Sequence, residues 1–209
     1  GTKQREFEPL KEYGKDKVYL RTKKTEQSHL VIGVPSFGSQ DDRHFAQKLL
    51  SIILGGNMSS RMFLNIREAK GMCYYIDSDV DSYLDAGSLS TRAGIDQSRL
   101  DEAVKLIINE YDQVALHGVL DEEIARAKSY MKGSIILSLE DSEDLAHFFG
   151  KQQLLYPNVR SVDEYIGMIE AVTKEDVDQL AKDLLGHENL RLAVIGNTDN
   201  KAGLESLLV

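Results

Sequence analysis

Tryptophan is absent from the 209-residue chain, cysteine occurs once and proline three times. A lone cysteine, Cys73, can form neither an internal disulfide nor a multi-cysteine metal site. It leaves the compartment open, with the cytoplasm the favoured side. So few prolines, and no Ser/Gly-rich tract, leave no internal linker; there is also no repeat and no low-complexity segment. No apolar run approaches the ~20 residues that span a bilayer, so no membrane span is predicted. The net charge of −9 speaks against nucleic acid, because phosphate binding needs a concentrated basic surface. That charge is uneven: residues 1–24 hold eight Lys/Arg against four Asp/Glu, a balance of +4, which leaves −13 for the remainder. The basic stretch reads as a solvated strand on an acidic domain. The chain opens Gly1-Thr2-Lys3 without Met, as a piece cut from a longer polypeptide would.

Familiar catalytic patterns are missing too. The five histidines, His29, His44, His117, His147 and His187, include no pair four residues apart, the spacing that sets two metal ligands on one helical face. Each reads as a solvated or capping side chain. No His-Glu-x-x-His, His-x-x-Glu-His or Cys-x-x-Cys occurs. Gly55-Gly56-Asn57 follows a predicted helix and lacks a Gly-Lys-Ser/Thr, so it reads as a helix terminator rather than a phosphate loop. No Gly-x-Ser-x-Gly elbow marks a serine nucleophile. Glu122-Glu123 fall at a predicted helix start, where negative charge suits the helix dipole.

What is present is a well-punctuated pattern. Residues 1–16 read as a connecting segment and 17–209 as one domain. Lys17–Lys24 alternates as a strand, with Val18, Leu20 and Thr22 on one face; Leu30–Val34 is a more buried strand that Pro35 ends. Phe45, Leu49, Ile52 and Ile53 predict a helix over 41–54, and a shorter one spans 59–70, closed by Gly71. Segments 72–82 and 87–95 form a hairpin across Asp85-Ala86-Gly87. A long amphipathic helix covers 98–117, another starts near Asp121, and more follow over 142–154, 161–171 and 173–185. The last two open on capping boxes, Ser161-x-x-Glu164 and Thr173-x-x-Asp176. Leu190–Ile195 closes as a strand. Strands and helices do not alternate as βαβ units, so the class is α+β: an antiparallel or mixed sheet with helices on one face.

The segment Leu54–Tyr75, LGGNMSSRMFLNIREAKGMCYY, carries a resemblance. Its order of Gly55-Gly56, Met58-Ser59-Ser60-Arg61-Met62-Phe63, Arg67-Glu68, Gly71 and Tyr74 resembles the C-terminal halves of zinc metallopeptidases of the pitrilysin/insulinase family. These inverzincins include the mitochondrial processing peptidases. Tyr83-x-Asp85-x-Gly87 is similar to that family's hairpin, and the likeness extends over nearly the whole chain beyond about residue 17. It implies an α+β half that faces a homologous N-terminal half across a chamber. The N-terminal half would carry zinc on His-x-x-Glu-His, with the Glu as general base. The equivalent helix here reads His44-Phe45-Ala46-Gln47-Lys48, in which Gln47 is no base and Lys48 no ligand while protonated. The resemblance therefore implies no metal and no cofactor in this chain, with zinc in the partner half, on the same polypeptide or on a separate subunit.

By the same resemblance, the chain's contribution to catalysis is Arg67 and Tyr74, seven residues apart. A guanidinium and a phenol would stabilise the charge that develops in a tetrahedral intermediate, or hold a substrate carbonyl in register. Tyr75 is the rival phenol, because a shift of one residue moves the hydroxyl to the other face of a strand. Arg61 has a similar rival reading, but its place in the turn-to-helix motif reads as structural. Cys73 departs from the small residue usual beside that Tyr, and reads as a buried thiol. The expected partners are the zinc-bearing half and a peptide substrate, with a homo-oligomer left open. The chain alone is expected to be inactive. The alternative is a non-catalytic scaffold subunit on the same fold, for which retaining both Arg67 and Tyr74 would serve less purpose.

Overall fold

Alternation of apolar and polar residues decides the sheet, and it covers one face only. The protein is described here from a computed structural model over residues 14–209. Residues 1–13 of the predicted connecting segment lie outside the described residues, and 14–16 carry no regular element. The strands are β1 (Val18–Thr22), β2 (Gln27–Ser36), β3 (Cys73–Ser82), β4 (Gly87–Asp96) and β5 (Arg191–Gly196), in the spatial order β1-β5-β2-β4-β3. β1 runs parallel to β5 and the other neighbours are antiparallel, so the sheet is mixed, as the pattern allowed. On β2, Ser28, Leu30, Ile32 and Val34 are buried while His29 and Val31 are exposed. Leu89, Thr91, Ala93 and Ile95 on β4 and Ile76, Ser78 and Val80 on β3 continue the buried face.

Helices cover that face. They are α1 (His44–Leu54), α2 (Leu100–His117), α3 (Asp121–Ser138), α4 (Ser142–Leu155), α5 (Val162–Ala171), α6 (Lys174–Leu184) and α7 (Lys201–Ser206). α1, α2 and α6 lie against the sheet, with α1 on β3, α2 on β4 and α6 on β2. The stripe Leu100, Val104, Ile107, Tyr111 and Val114 on α2 is wholly or almost wholly buried. Each such side chain contributes about 1.5–3 kcal/mol by leaving water. Tyr111 brings its hydroxyl with it, 2.7 Å from Thr91 Oγ1 and donating to the Ile32 carbonyl at 3.3 Å. Burial pushes that phenol well above its ordinary range, against the hydrogen bonds from Thr91, so it stays neutral.

The caps behave as their spacing predicts. Ser161 accepts from the Glu164 amide at 3.2 Å while Glu164 accepts from the Ser161 amide at 2.7 Å. Thr173 and Asp176 exchange the same pair of bonds at 3.1 and 2.8 Å. Other expectations are corrected. β2 is ten residues long, not a short run over 30–34, and Pro35 lies inside it opposite Ser88. Pairing with β5 stops at Gly33, so the proline sits beyond the last rung on that side, where a missing N–H costs no ladder bond. α1 begins at His44 rather than 41, because Asp41 folds back to accept from the Arg43 amide and guanidinium. α7 is an element that the hydrophobic pattern does not announce.

The predicted helix over 59–70 is replaced by a wider coil. Only Arg61 and Met62 are α-helical; Phe63–Glu68 form a π-helical turn, in which the Ala69 amide reaches back five residues to Leu64 O at 2.9 Å. Its start is held by Arg61, whose guanidinium donates to both carboxylate oxygens of Glu123 at 2.7 Å and to Gly118 O at 3.1 Å. Glu123 also accepts from the Leu120 amide at 2.8 Å, which caps α3. Arg61 is thus structural, as expected, whereas Glu123 is more than a dipole partner: it is one half of a mostly buried ion pair.

Burial pushes the Glu123 carboxyl up, and the bonds from Arg61 and Leu120 outweigh it, so its pKa lies below the ordinary 4.5. A depressed carboxylate contributes stability above its unfolded pKa and loses it as pH falls through the folded one. Glu123→Ala should therefore cost about 2–3 kcal/mol in urea unfolding at neutral pH, because it strands a half-buried guanidinium. The deficit should shrink below about pH 4.5. An unchanged urea midpoint at neutral pH would refute this.

Candidate functional site

Arg67 and Tyr74, singled out from sequence, sit at the two ends of one short reversal. Ile66 is buried and anchors the π-turn, and Arg67 follows it on the exposed side with its guanidinium 4.9 Å from the Phe63 ring centre. Among the described residues Arg67 makes no ion pair. Gly71 then takes φ +55°, a left-handed conformation that an L side chain resists, and its amide donates to Arg67 O at 3.0 Å. The Met72 amide donates to Ile66 O at 3.1 Å, so the chain turns straight back into β3. Arg99 ties the turn down by donating to Gly71 O at 3.0 Å and Lys70 O at 3.3 Å.

At the start of β3 the ladder carries one residue too many. Cys73 pairs with Ile95 and Tyr75 with Gly94, which leaves Tyr74 without an opposite residue: a β-bulge. Tyr74 is 57% exposed. Cys73 is half-buried rather than buried. Burial pushes its thiol up, and the positive charges of Arg67 and Arg99 pull it back.

The neighbouring phenol is committed elsewhere. The Tyr75 hydroxyl lies 3.0 Å from His29 Nδ1, and the two rings lie nearly coplanar, 6.1 Å between centres and 25° between planes. The Tyr75 ring covers Gly94, where an added Cβ would meet its Cε1 at 2.5 Å. Neither His29 nor Gly94 was singled out from sequence. Both depend on a register between three strands, and an isolated His and a strand Gly carry no signal of it.

The helix that would hold zinc in the other half has different occupants here. Gln47 is a backbone clip: it accepts from the Phe37 amide at 3.1 Å and donates to Phe37 O at 2.9 Å and Ser82 Oγ at 3.2 Å. Burial pushes the Lys48 ammonium down, against the pull of Asp79 and with a push from Lys151. His44 is not the solvated or capping residue expected of it but is buried against Phe45. One histidine beside an engaged amide and an ammonium does not fit a zinc site.

Fold and site together define a class. This is an α+β domain that offers, on one short reversal, an exposed phenol and an arginine without an ion pair among the described residues. Among the described residues, no three His, Cys, Asp or Glu side chains gather as a metal ion would require. Residues 1–131 match the model of the peptidase M16 inactive domain. An uncharacterized zinc protease of Streptomyces coelicolor is 38% identical over 88% of this chain and 40% of its own length. The uncharacterized zinc protease YmxG of Bacillus subtilis is 34% identical over 86% of this chain and 44% of its own. The crystal structure of a peptidase M16 inactive domain from Pseudomonas fluorescens superposes with a TM-score of 0.78 at 18% identity, over 87% of this chain and 43% of that one. The chain belongs to the peptidase M16 family as its inactive domain, the domain that the sequence resemblance implied. It spans about two fifths of the length of the curated relatives it matches.

Burial lowers the His44 pKa to about 4, helped by the charges of Lys48 and Lys151 and opposed by Asp41. A histidine depressed from 6.5 to about 4 stabilises the fold above pH 6.5 and loses that contribution as pH falls towards 4. The loss should reach about 2–3 kcal/mol, and His44→Gln should flatten the pH profile of thermal stability over that window. Equal pH profiles for the two proteins would contradict the assignment.

Proposed function

We propose that this chain is the substrate-holding half of a zinc metalloendopeptidase, active only against a zinc-bearing N-terminal half. The observation that carries the reading is the placement of Arg67, exposed and without an ion pair among the described residues, and Tyr74, lifted out of the ladder by the bulge, at the two ends of one short reversal. π-turns and bulges cost regular hydrogen bonding and recur where a side chain must be aimed. Here one of each stands within seven residues.

In this reading Arg67 holds a substrate carbonyl through its N–H donors, and the Tyr74 hydroxyl donates to the oxyanion that forms at the scissile carbon. Zinc held by the other half would supply Lewis-acid polarisation. β3 is an edge strand of the sheet, so an extended peptide can add to it by backbone hydrogen bonds. Such a peptide would pass the strand end that carries Tyr74.

The test is zinc-dependent peptide hydrolysis by the full-length parent polypeptide, or by this chain with its N-terminal half. Arg67→Ala and Tyr74→Phe should each lower kcat about 100- to 1,000-fold with zinc content unchanged. The isolated chain should bind no stoichiometric zinc and cleave nothing. Variants as fast as the parent would remove these residues from the reaction. A parent that neither binds zinc nor cleaves would replace the enzyme reading with a scaffold subunit.

A further inference from the structure

Two phenols stand side by side at the start of β3, and their surroundings differ in kind. Tyr75 is held by two neighbours. Its hydroxyl meets His29 Nδ1 at 3.0 Å, its ring lies nearly coplanar with the His29 imidazole, and its Cε1 edge occupies the space beside the bare Cα of Gly94. β2, β4 and β3 each contribute one member, and the outward-facing positions of neighbouring strands bring them together. Tyr74 takes part in none of this: it has no rung on β4 and, among the described residues, no side-chain hydrogen bond.

We propose that His29, Tyr75 and Gly94 act as a positioning clamp that presents Tyr74, and not Tyr75, beside Arg67; the proposal rests on the catalytic reading of Tyr74 above. A bulge can relax by passing its extra residue along the strand, which would exchange the places of the two tyrosines. The clamp opposes that exchange. Moving Tyr75 into the unpaired position would break the His29 contact and lift its ring from Gly94. Moving Tyr74 into the paired position would require the same docking site to be vacated. Glycine is required at 94 because the ring occupies the volume of a Cβ, with Cε1, Cδ1 and Cζ at 2.5, 2.9 and 3.2 Å from it. Gly94→Ala is therefore a selective perturbation. The atoms in the way belong to a side chain able to swing aside, not to the backbone.

The experiment has two readouts on the full-length protein with its zinc-bearing half. The first is nitration by tetranitromethane, mapped by mass spectrometry. Tyr74 should nitrate well before Tyr75 in the unsubstituted protein, and the two should become similar in Gly94→Ala. Equal rates in the unsubstituted protein would overturn the clamp. The second readout is steady-state peptide hydrolysis. Gly94→Ala should lower kcat about 10- to 100-fold with KM little changed, the penalty of misplacing a catalytic group by about an ångström. Tyr75→Phe, which keeps the ring and loses only the hydroxyl, should lower kcat about threefold to tenfold. The double variant Gly94→Ala/Tyr74→Phe should be no slower than Tyr74→Phe alone, since the clamp acts through that hydroxyl. Additive losses, or an unchanged kcat in Gly94→Ala beside a slow Tyr74→Phe, would overturn the positioning role and leave the catalytic reading intact. A Tyr74→Phe variant as fast as the parent would sink both.

Discussion

The sheet is covered on one face, and that constraint makes the bulge unavoidable. Strict alternation would place residues 73 and 76 on opposite faces. Yet Cys73 packs against the core, paired with Ile95, and Ile76 is a buried core residue paired with Ala93. Two inward anchors three residues apart can both be met only if the strand absorbs one extra residue between them. Tyr74 is that residue, and the cost of an interrupted ladder falls where a free side chain is wanted. Upstream, Ile66 and Met62 are buried beneath the sheet, Met62 with its sulfur 3.4 Å from Thr91 Oγ1, which fixes the level at which Arg67 emerges. The same hydrophobic burial thus sets the heights of both side chains.

The rest of the molecule holds that arrangement still. Arg61 joins the first turn of the π-helical segment to the start of α3 and the end of α2 in one set of bonds, through Glu123 and Gly118. Arg99 pins the other end of the segment from the beginning of α2. The irregular turn is therefore bracketed by two guanidinium groups, one reaching from it to α3 and the other reaching to it from the start of α2. Arg67, between them, is the arginine of the group that remains without such a bond among the described residues.

Much of the architecture was legible because local and long-range preferences agree. Alternation in 18–22, 75–82 and 87–95, the capping boxes at Ser161 and Thr173, and the glycine stop at 71 each have one cheap solution, and the chain adopts it. The errors fall where a distant partner decides. The segment 59–70 has helical spacing whether its bonds reach back four residues or five, so the π-turn left no mark. His44 looked like a surface residue until α1 packed. Glu123 looked like a dipole partner because Arg61, 62 positions away, is invisible to local reading. Pro35 ends many strands, but not one whose neighbour has already stopped. Of the candidate site, Arg67 and Tyr74 came from resemblance rather than from spacing. The His29–Tyr75–Gly94 contact needs three strands in register before it exists at all.

The edge strand β3 has a further property that concerns company rather than catalysis. Asp77, Asp79 and Asp81 occupy alternate positions along it. Asp77 forms an exposed ion pair with Arg92 at 2.6 Å, while Asp79 turns its own side chain back to accept from the Val80 amide at 2.8 Å. An incoming strand thus finds one backbone donor already occupied and carboxylates lining one flank. A second copy pairing antiparallel about Asp79 would set Asp79 against itself and Asp77 against Asp81, a like-charge arrangement that sheets avoid. The strand stays open to a guest of other composition while it discourages stacking on its own kind, and in this way a sheet can keep a bare edge without becoming a template for fibres.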